Sequence, residues 1–181
     1  MIKGLVSVLN MEYNVSDVFG IRYGYKGLTQ SSSFPPIALD VFTVDKIHNQ
    51  GGTILGSSRE NQDPKEMVDE LISLDINILF RIGGDGTLRG AMAIAKEIAE
   101  RNLQISVIGI PKTIDNDINF VEKTFGFETA VQVATQVISS AHSEAEGAEN
   151  GIGIVKLMGR DSGFIAATAT LANSVVDFCL I

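Results

Sequence analysis

Ile76-Asn77-Ile78-Leu79-Phe80-Arg81-Ile82-Gly83-Gly84-Asp85-Gly86-Thr87 is the stretch that decides the fold. A short apolar run ends on a glycine turn, and directly behind it Leu88, Ala91, Ile94, Ala95 and Ile98 recur at helical spacing. This predicts a buried strand over 76–82 feeding an amphipathic helix over 87–101. Working outward, the same test predicts a helix over 64–74, a strand over 105–110, a helix over 126–146, a strand over 153–157, a helix over 162–172 and a strand over 176–181. Apolar strands alternating with helices are the pattern of a parallel sheet covered on both faces. The expected class is therefore α/β, with a doubly wound, mostly parallel sheet in a Rossmann-like three-layer arrangement.

Toward the N-terminus, Ile2, Leu5, Val6 and Leu9 carry helical spacing, and a strand is expected over 17–23. Gly24, Gly27, the serines at 31–33 and Pro35-Pro36 make a loop. A short helix is expected over 43–50, then a strand over 53–55 leading into Gly56-Ser57-Ser58-Arg59, a candidate ligand contact. No capping residue stands before the first helix, and no turn or polar tail follows Cys179-Leu180-Ile181. Truncation at both ends of one domain over 1–181 is the joint expectation.

A hydrophobic content of 45% supplies one real core, which excludes a disordered segment. The net charge of -8 argues against nucleic acid, whose binding needs clustered Lys and Arg. An anionic ligand must then find local cations or backbone N–H groups. A single cysteine, Cys179, excludes an internal disulfide framework, and neither a signal peptide nor a membrane-length apolar run is present. A cytoplasmic setting without a membrane partner is the resulting expectation.

Three loops carry the chemistry, each behind a predicted strand, at the edge where ligands bind open α/β sheets. In Gly83-Gly84-Asp85-Gly86-Thr87, glycines allow close approach to a phosphate, and N–H groups at the helix start attract anions. Asp85 would repel a phosphate unless a cation stood between them, so its useful role is to hold Mg²⁺. A plain strand-to-helix turn capped by Asp85 is the alternative, favoured for any such turn taken alone. Lys112-Thr113-Ile114-Asp115-Asn116-Asp117 sets two carboxylates one residue apart, a costly pairing unless a cation or a proton is shared. One could take the proton of an attacking hydroxyl and the other face a metal, with Lys112 and Thr113 on a transferring phosphate. A solvated acidic turn and an Asp-x-Asp metal site of the glycosyltransferase kind are the alternatives there. In Met158-Gly159-Arg160-Asp161-Ser162-Gly163, Arg160 suits bidentate phosphate binding and the N–H groups near Gly159 suit an oxygen ligand, against a capped helix start beside a surface arginine.

Together and in this order, the three loops resemble those of the phosphofructokinase family. The likeness extends through Gly51-Gly52-Thr53, Ser57-Ser58-Arg59 and Thr124-Phe125-Gly126-Phe127. It implies glycolytic transfer of a phosphoryl group to the 1-hydroxyl of fructose 6-phosphate. It also implies Asp115 as the base, Asp85 and Asp117 serving Mg²⁺, Thr113 steadying the phosphate, and Arg160 and Arg59 stabilising its charge. Residues 83–87 with Arg59 would hold the donor; Thr113, Asp115, Asp117, Met158, Gly159 and Arg160 would face the sugar phosphate. In the family, glycine at the position of Gly86 leaves room for a nucleotide, whereas lysine at that of Lys112 is common in pyrophosphate users. The combination resembles the ATP-dependent plant and trypanosomatid branch, with pyrophosphate as the alternative donor.

The Gly-rich loop that opens family members is absent, as is most of their fructose 6-phosphate domain, so the 181-residue chain alone is expected to be inactive. A homo-oligomer is implied for the native length. Lipid and NAD kinases share the first loop but not the second, and a non-catalytic subunit would be expected to have lost Asp85, Asp115 or Asp117. His48 is expected to be solvated, His142 and Glu146 to sit on an exposed helix end, and Tyr23 and Tyr25 to pack.

Overall fold

The computed structural model describes residues 1–59 and 62–181. The chain divides into two compact units, Met1–Leu79 with Ala93–Ser106, and Phe80–Met92 with Val107–Ile181.

In the first unit, α1 (Ile2–Met11) buries Val6, which joins Leu39 and Val44 in a small core flanked by Ile2, Val18, Ile37 and Ile47. β1 (Phe19–Gly20) pairs antiparallel with β2 (Ile37–Ala38), and one helical turn, α2 (Lys26–Thr29), lies between them. α3 (Pro64–Ser73) starts where its sequence says it should. Asp63 accepts from the Lys65 N–H at 2.9 Å, Pro64 occupies the first turn, and Met67, Val68 and Leu71 are buried. Arg101 pairs with both Asp69 and Glu97.

The second unit holds the end of β3 (Ile78–Gly83), the start of α4 (Asp85–Glu100) and nearly all of β4 (Ser106–Thr113), followed by β5 (Phe125–Gly126). The strand order is β3-β4-β5, and β4 runs parallel to β5 with Lys112 opposite Phe125 and Thr113 opposite Gly126. α5 (Phe127–Glu146) and α6 (Phe164–Leu171) build the core of this unit. Phe127, Ala134 and Ile138 of α5 recur three to four residues apart or in multiples of that spacing, and they meet Ile165 and Ala169 of α6. The class is α/β, a parallel sheet with helices around it.

Several predicted elements are shorter than expected or missing. The strand over 17–23 shrinks to Phe19–Gly20 because the chain turns through positive φ at Tyr23 and Gly24. The helix over 43–50 shrinks to one 3₁₀ turn, Ile47–Asn49. Asp40 and Thr43 exchange side-chain-to-backbone bonds of 2.7 and 2.8 Å, a local alternative that competes with a helix start. Residues 53–55 form a turn closed by the Gly56 N–H on the Thr53 carbonyl, not a strand. Over 153–157 the burial alternates, with Val155 and Leu157 packed on the α5–α6 core and Ile154 and Met158 exposed, yet no ladder forms. Residues 176–181 likewise form no strand, leaving Phe178, Leu180 and Ile181 exposed. No helix among the described residues is long and apolar enough to cross a membrane.

Candidate active site

Three loops meet at one place in the second unit. β3 delivers Gly83 buried at its end, and the Gly84 carbonyl accepts the Leu88 N–H at 3.0 Å, making Gly84 the N-cap of α4. A side chain at Gly83 is impossible without displacing Thr87, whose Cβ would lie 2.6 Å from the new Cβ. A β-branched residue in the first turn of a helix has little rotamer freedom with which to yield. Gly83 is thus required by packing within the chain. Gly86 is the opposite case, because a Cβ built there meets nothing within 4 Å.

Gly84 faces the second loop, since a Cβ on it would stand 3.5 Å from the Cβ of Thr113. Lys112 and Thr113 end β4, Lys112 exposed and Thr113 half-buried. The Thr113 hydroxyl accepts from the Asp115 N–H at 3.1 Å, and the Asp115 carbonyl accepts from the Ser162 hydroxyl at 2.8 Å. The main chain of Asp115 is therefore held on both sides. Its half-buried carboxylate has no hydrogen-bond or ion-pair partner among the described residues. Asp117 is exposed on the same loop.

Ser162 belongs to the third loop, so this one bond joins residues 47 positions apart. Gly159 has φ of +152°, and a Cβ on it would lie 2.5 Å from the Ser162 carbonyl oxygen, a turn closed by the Ser162 N–H on the Gly159 carbonyl at 2.6 Å. Arg160 follows at φ of +35° with its side chain exposed, and Met158 is 76% exposed. Met158, Gly159 and Arg160 line an open concavity of about 660 Å³ together with Lys156, Leu180 and Ile181. Two cations, Lys156 and Arg160, thus share this recess with one carboxylate, Asp161.

Asp85 pairs with Arg89 one turn along α4 at 2.7 Å, a partner the sequence reading missed although the i,i+4 spacing signals it. At 43% and 72% side-chain exposure this pair is worth only about 0.3–0.5 kcal/mol, so it can be displaced. Among the described residues no group of three His, Cys, Asp or Glu gathers around a metal position. The donors present are carboxylate and hydroxyl oxygens, Asp85 among them near the surface. They fit a hard cation such as Mg²⁺, which takes one or two carboxylates and completes its shell with water and phosphate oxygens.

Of the other predicted residues, Arg59 belongs to the first unit and is exposed on the loop after Gly56. Tyr23 packs edge-on against Phe34 at 4.8 Å, as a packing role requires. His142 sits 3.3 Å from Glu146 as an i,i+4 pair along α5.

The sequence profile described as Phosphofructokinase matches residues 1–181. The chain is 53% identical over 181 residues to an ATP-dependent 6-phosphofructokinase of Borreliella burgdorferi, covering 100% of this chain and 40% of that protein. It is 56% identical over 169 residues to one of Trypanosoma brucei brucei, covering 93% and 35%, and 50% identical over 181 residues to ATP-dependent 6-phosphofructokinase 7 of Arabidopsis thaliana, covering 100% and 37%. The chain therefore spans well under half the length of these relatives. Among solved structures, the phosphofructokinase of Saccharomyces cerevisiae superposes with a TM-score of 0.75 at 22% identity, over 95% of this chain and 25% of that one. A pyrophosphate-dependent phosphofructokinase from Marinobacter aquaeolei gives 0.74 at 24% identity, over 94% and 45%. At these identities the two structures speak for the fold.

Proposed function

The chain belongs to the phosphofructokinase family, and on that premise we propose that it carries the phosphoryl-donor part of an ATP-dependent 6-phosphofructokinase. The observation that supports this best is the junction of the three loops, Gly84 against Thr113 and Ser162 on Asp115. It sets glycine-turn N–H groups, a carboxylate without a partner among the described residues and the loop of an exposed arginine within one small region.

In this reading Asp115 takes the proton of the 1-hydroxyl of fructose 6-phosphate. The hydroxyl oxygen then forms a bond to the γ-phosphorus of ATP, the bond from that phosphorus to the bridging oxygen breaks, and ADP leaves. Thr113 and Lys112 hold the phosphoryl group in transit, and Arg160 offsets charge on it. Residues Gly83, Gly84, Asp85, Gly86 and Thr87 receive the donor at the start of α4. Met158, Gly159 and Arg160 face the sugar phosphate with Thr113, Asp115 and Asp117, beside the recess that also presents Lys156. Asp85 and Asp117 would hold Mg²⁺, which supplies charge neutralisation between carboxylates and phosphates.

The empty space beside Gly86 supports a nucleotide donor. A glycine inside a helix costs roughly 0.5–1 kcal/mol relative to alanine, with the lower end applying in the first turn, and here no neighbour among the described residues requires it. Lys112 supports pyrophosphate as the second reading. The test is a coupled assay of the native-length gene product with Mg²⁺ and fructose 6-phosphate, offering ATP and pyrophosphate separately, with the 181-residue chain as a control. Turnover with ATP alone is expected, and none from the chain by itself. Turnover with pyrophosphate alone would overturn the donor assignment, and turnover with neither would overturn the function. Size-exclusion chromatography of the same product is expected to give a homo-oligomer.

A further inference from the structure

We propose that Thr124 is a positioning residue for Asp115, acting through the backbone of the loop that connects β4 to β5; this rests on the function proposed above. Thr124 is only 4% exposed, and its hydroxyl donates to the Thr113 carbonyl at 2.8 Å. The same oxygen lies 3.2 Å from the Asn116 Oδ1, but a hydroxyl has one proton, so the shorter contact takes it. Asn116 Oδ1 is satisfied instead by the Thr124 N–H at 2.8 Å, and Asn116 Nδ2 donates to the Glu122 carbonyl at 3.1 Å. Only this orientation of the amide gives both neighbours a partner of the right sign.

Asp115 sits between the two residues so tied. Thr113 is fixed from behind through its carbonyl, Asn116 is fixed from ahead through its side chain, and the Asp115 N–H donates to the Thr113 hydroxyl. Asn116 holds φ of +54°, a left-handed conformation that asparagine tolerates better than most residues. The clip therefore ties the residue two before the carboxylate by its carbonyl and the residue after it by its side chain, without touching the carboxylate. Placement of a base to within an ångström is worth up to about two orders of magnitude in rate, so loosening the clip acts on the chemical step.

The experiment is steady-state kinetics of the native-length gene product as Thr124→Val, Thr124→Ser and Asn116→Gly, alongside thermal unfolding of each. Valine keeps the packing volume and loses the hydroxyl, serine keeps the hydroxyl, and glycine keeps the left-handed backbone and loses the side chain. Expected for folded Thr124→Val is a fall in kcat of about tenfold to a hundredfold with KM for fructose 6-phosphate within about threefold, while Thr124→Ser stays near wild type. A folded Thr124→Val with wild-type kcat, or a Thr124→Ser equally impaired, overturns the proposal. Should Thr124→Val not fold, Asn116→Gly decides on the same criterion: retained kcat overturns, a comparable fall supports. Absence of turnover by the wild type with either donor overturns the underlying function, and this proposal with it.

Discussion

Replacing Gly86 separates what the fold needs from what the donor needs. A Cβ at this position meets no atom within 4 Å, so alanine adds no clash and removes the entropic disadvantage of glycine in the first turn of α4. Taking the lower end of that effect for a terminal position, Gly86→Ala should stabilise the chain by about 0.5 kcal/mol, which for a domain of this size raises Tm by roughly 1–2 °C. Gly86→Asp should also fold, since an acidic residue near a helix N-terminus is favourable. Its effect on catalysis is different. If that carboxylate stands about 5 Å from a nucleotide phosphate, at an effective dielectric near 20, it is opposed by about 3 kcal/mol, or roughly two orders of magnitude in kcat/KM for ATP. Thermal unfolding and the coupled assay read the two effects independently. Loss of stability by more than about 1 kcal/mol in Gly86→Ala would refute the open-space reading. A folded Gly86→Asp that keeps its kcat/KM for ATP within about threefold would refute the electrostatic one.

Asp115→Asn should lower kcat by at least about a hundredfold while shifting stability by no more than about 0.5 kcal/mol, because the carboxylate has no partner to lose among the described residues; kinetics and denaturant unfolding check both halves. Ser162→Ala removes the donor to the Asp115 carbonyl and should cost about 0.5–1.5 kcal/mol in urea unfolding, whereas Ser162→Thr, which keeps a hydroxyl, should cost less. Acid should weaken the first unit. Asp40 is held below 3.8 first by the Thr43 N–H and then by the Thr43 hydroxyl, and Asp45 below 3.8 by the hydrogen bond and charge of Lys3. A depressed carboxylate pKa gives stability that is present above the unfolded value and lost as pH falls through the folded one. Stability should therefore decline below about pH 4, and less steeply in Asp40→Asn, as unfolding midpoints against pH would show.

The longer helices were legible because their signal is local, whereas the one expected over 43–50 was not formed beyond Ile47–Asn49. The spacing of Met67, Val68 and Leu71, and of Phe127, Ala134 and Ile138, marks one face of a helix whatever that face meets, and Asp63-Pro64 marks a start. Strand signals report only which residues alternate between core and solvent. Val155 and Leu157 satisfied that pattern without a hydrogen-bonded neighbour, and the apolar run over 176–181 found none either. At the site, the residue types and their order were legible. What joins them was not, since the bond from Ser162 to the Asp115 carbonyl and the clip from Thr124 to the Thr113 carbonyl end on main-chain atoms that every residue possesses. Arg89, four residues after Asp85, was within reach of sequence reasoning through its i,i+4 spacing.

Because Ser162 and Thr124 grip carbonyl oxygens, the loop around Asp115 keeps its shape independently of which side chain stands at 115. Scaffold and reagent are thereby uncoupled. A lineage could exchange the reacting group by a single substitution and retain a folded loop, so any constancy at that position would report selection on chemistry, while constancy at 124 and 162 would report selection on geometry. Variation sampled at these three sites would tell the two pressures apart without a single rate being measured.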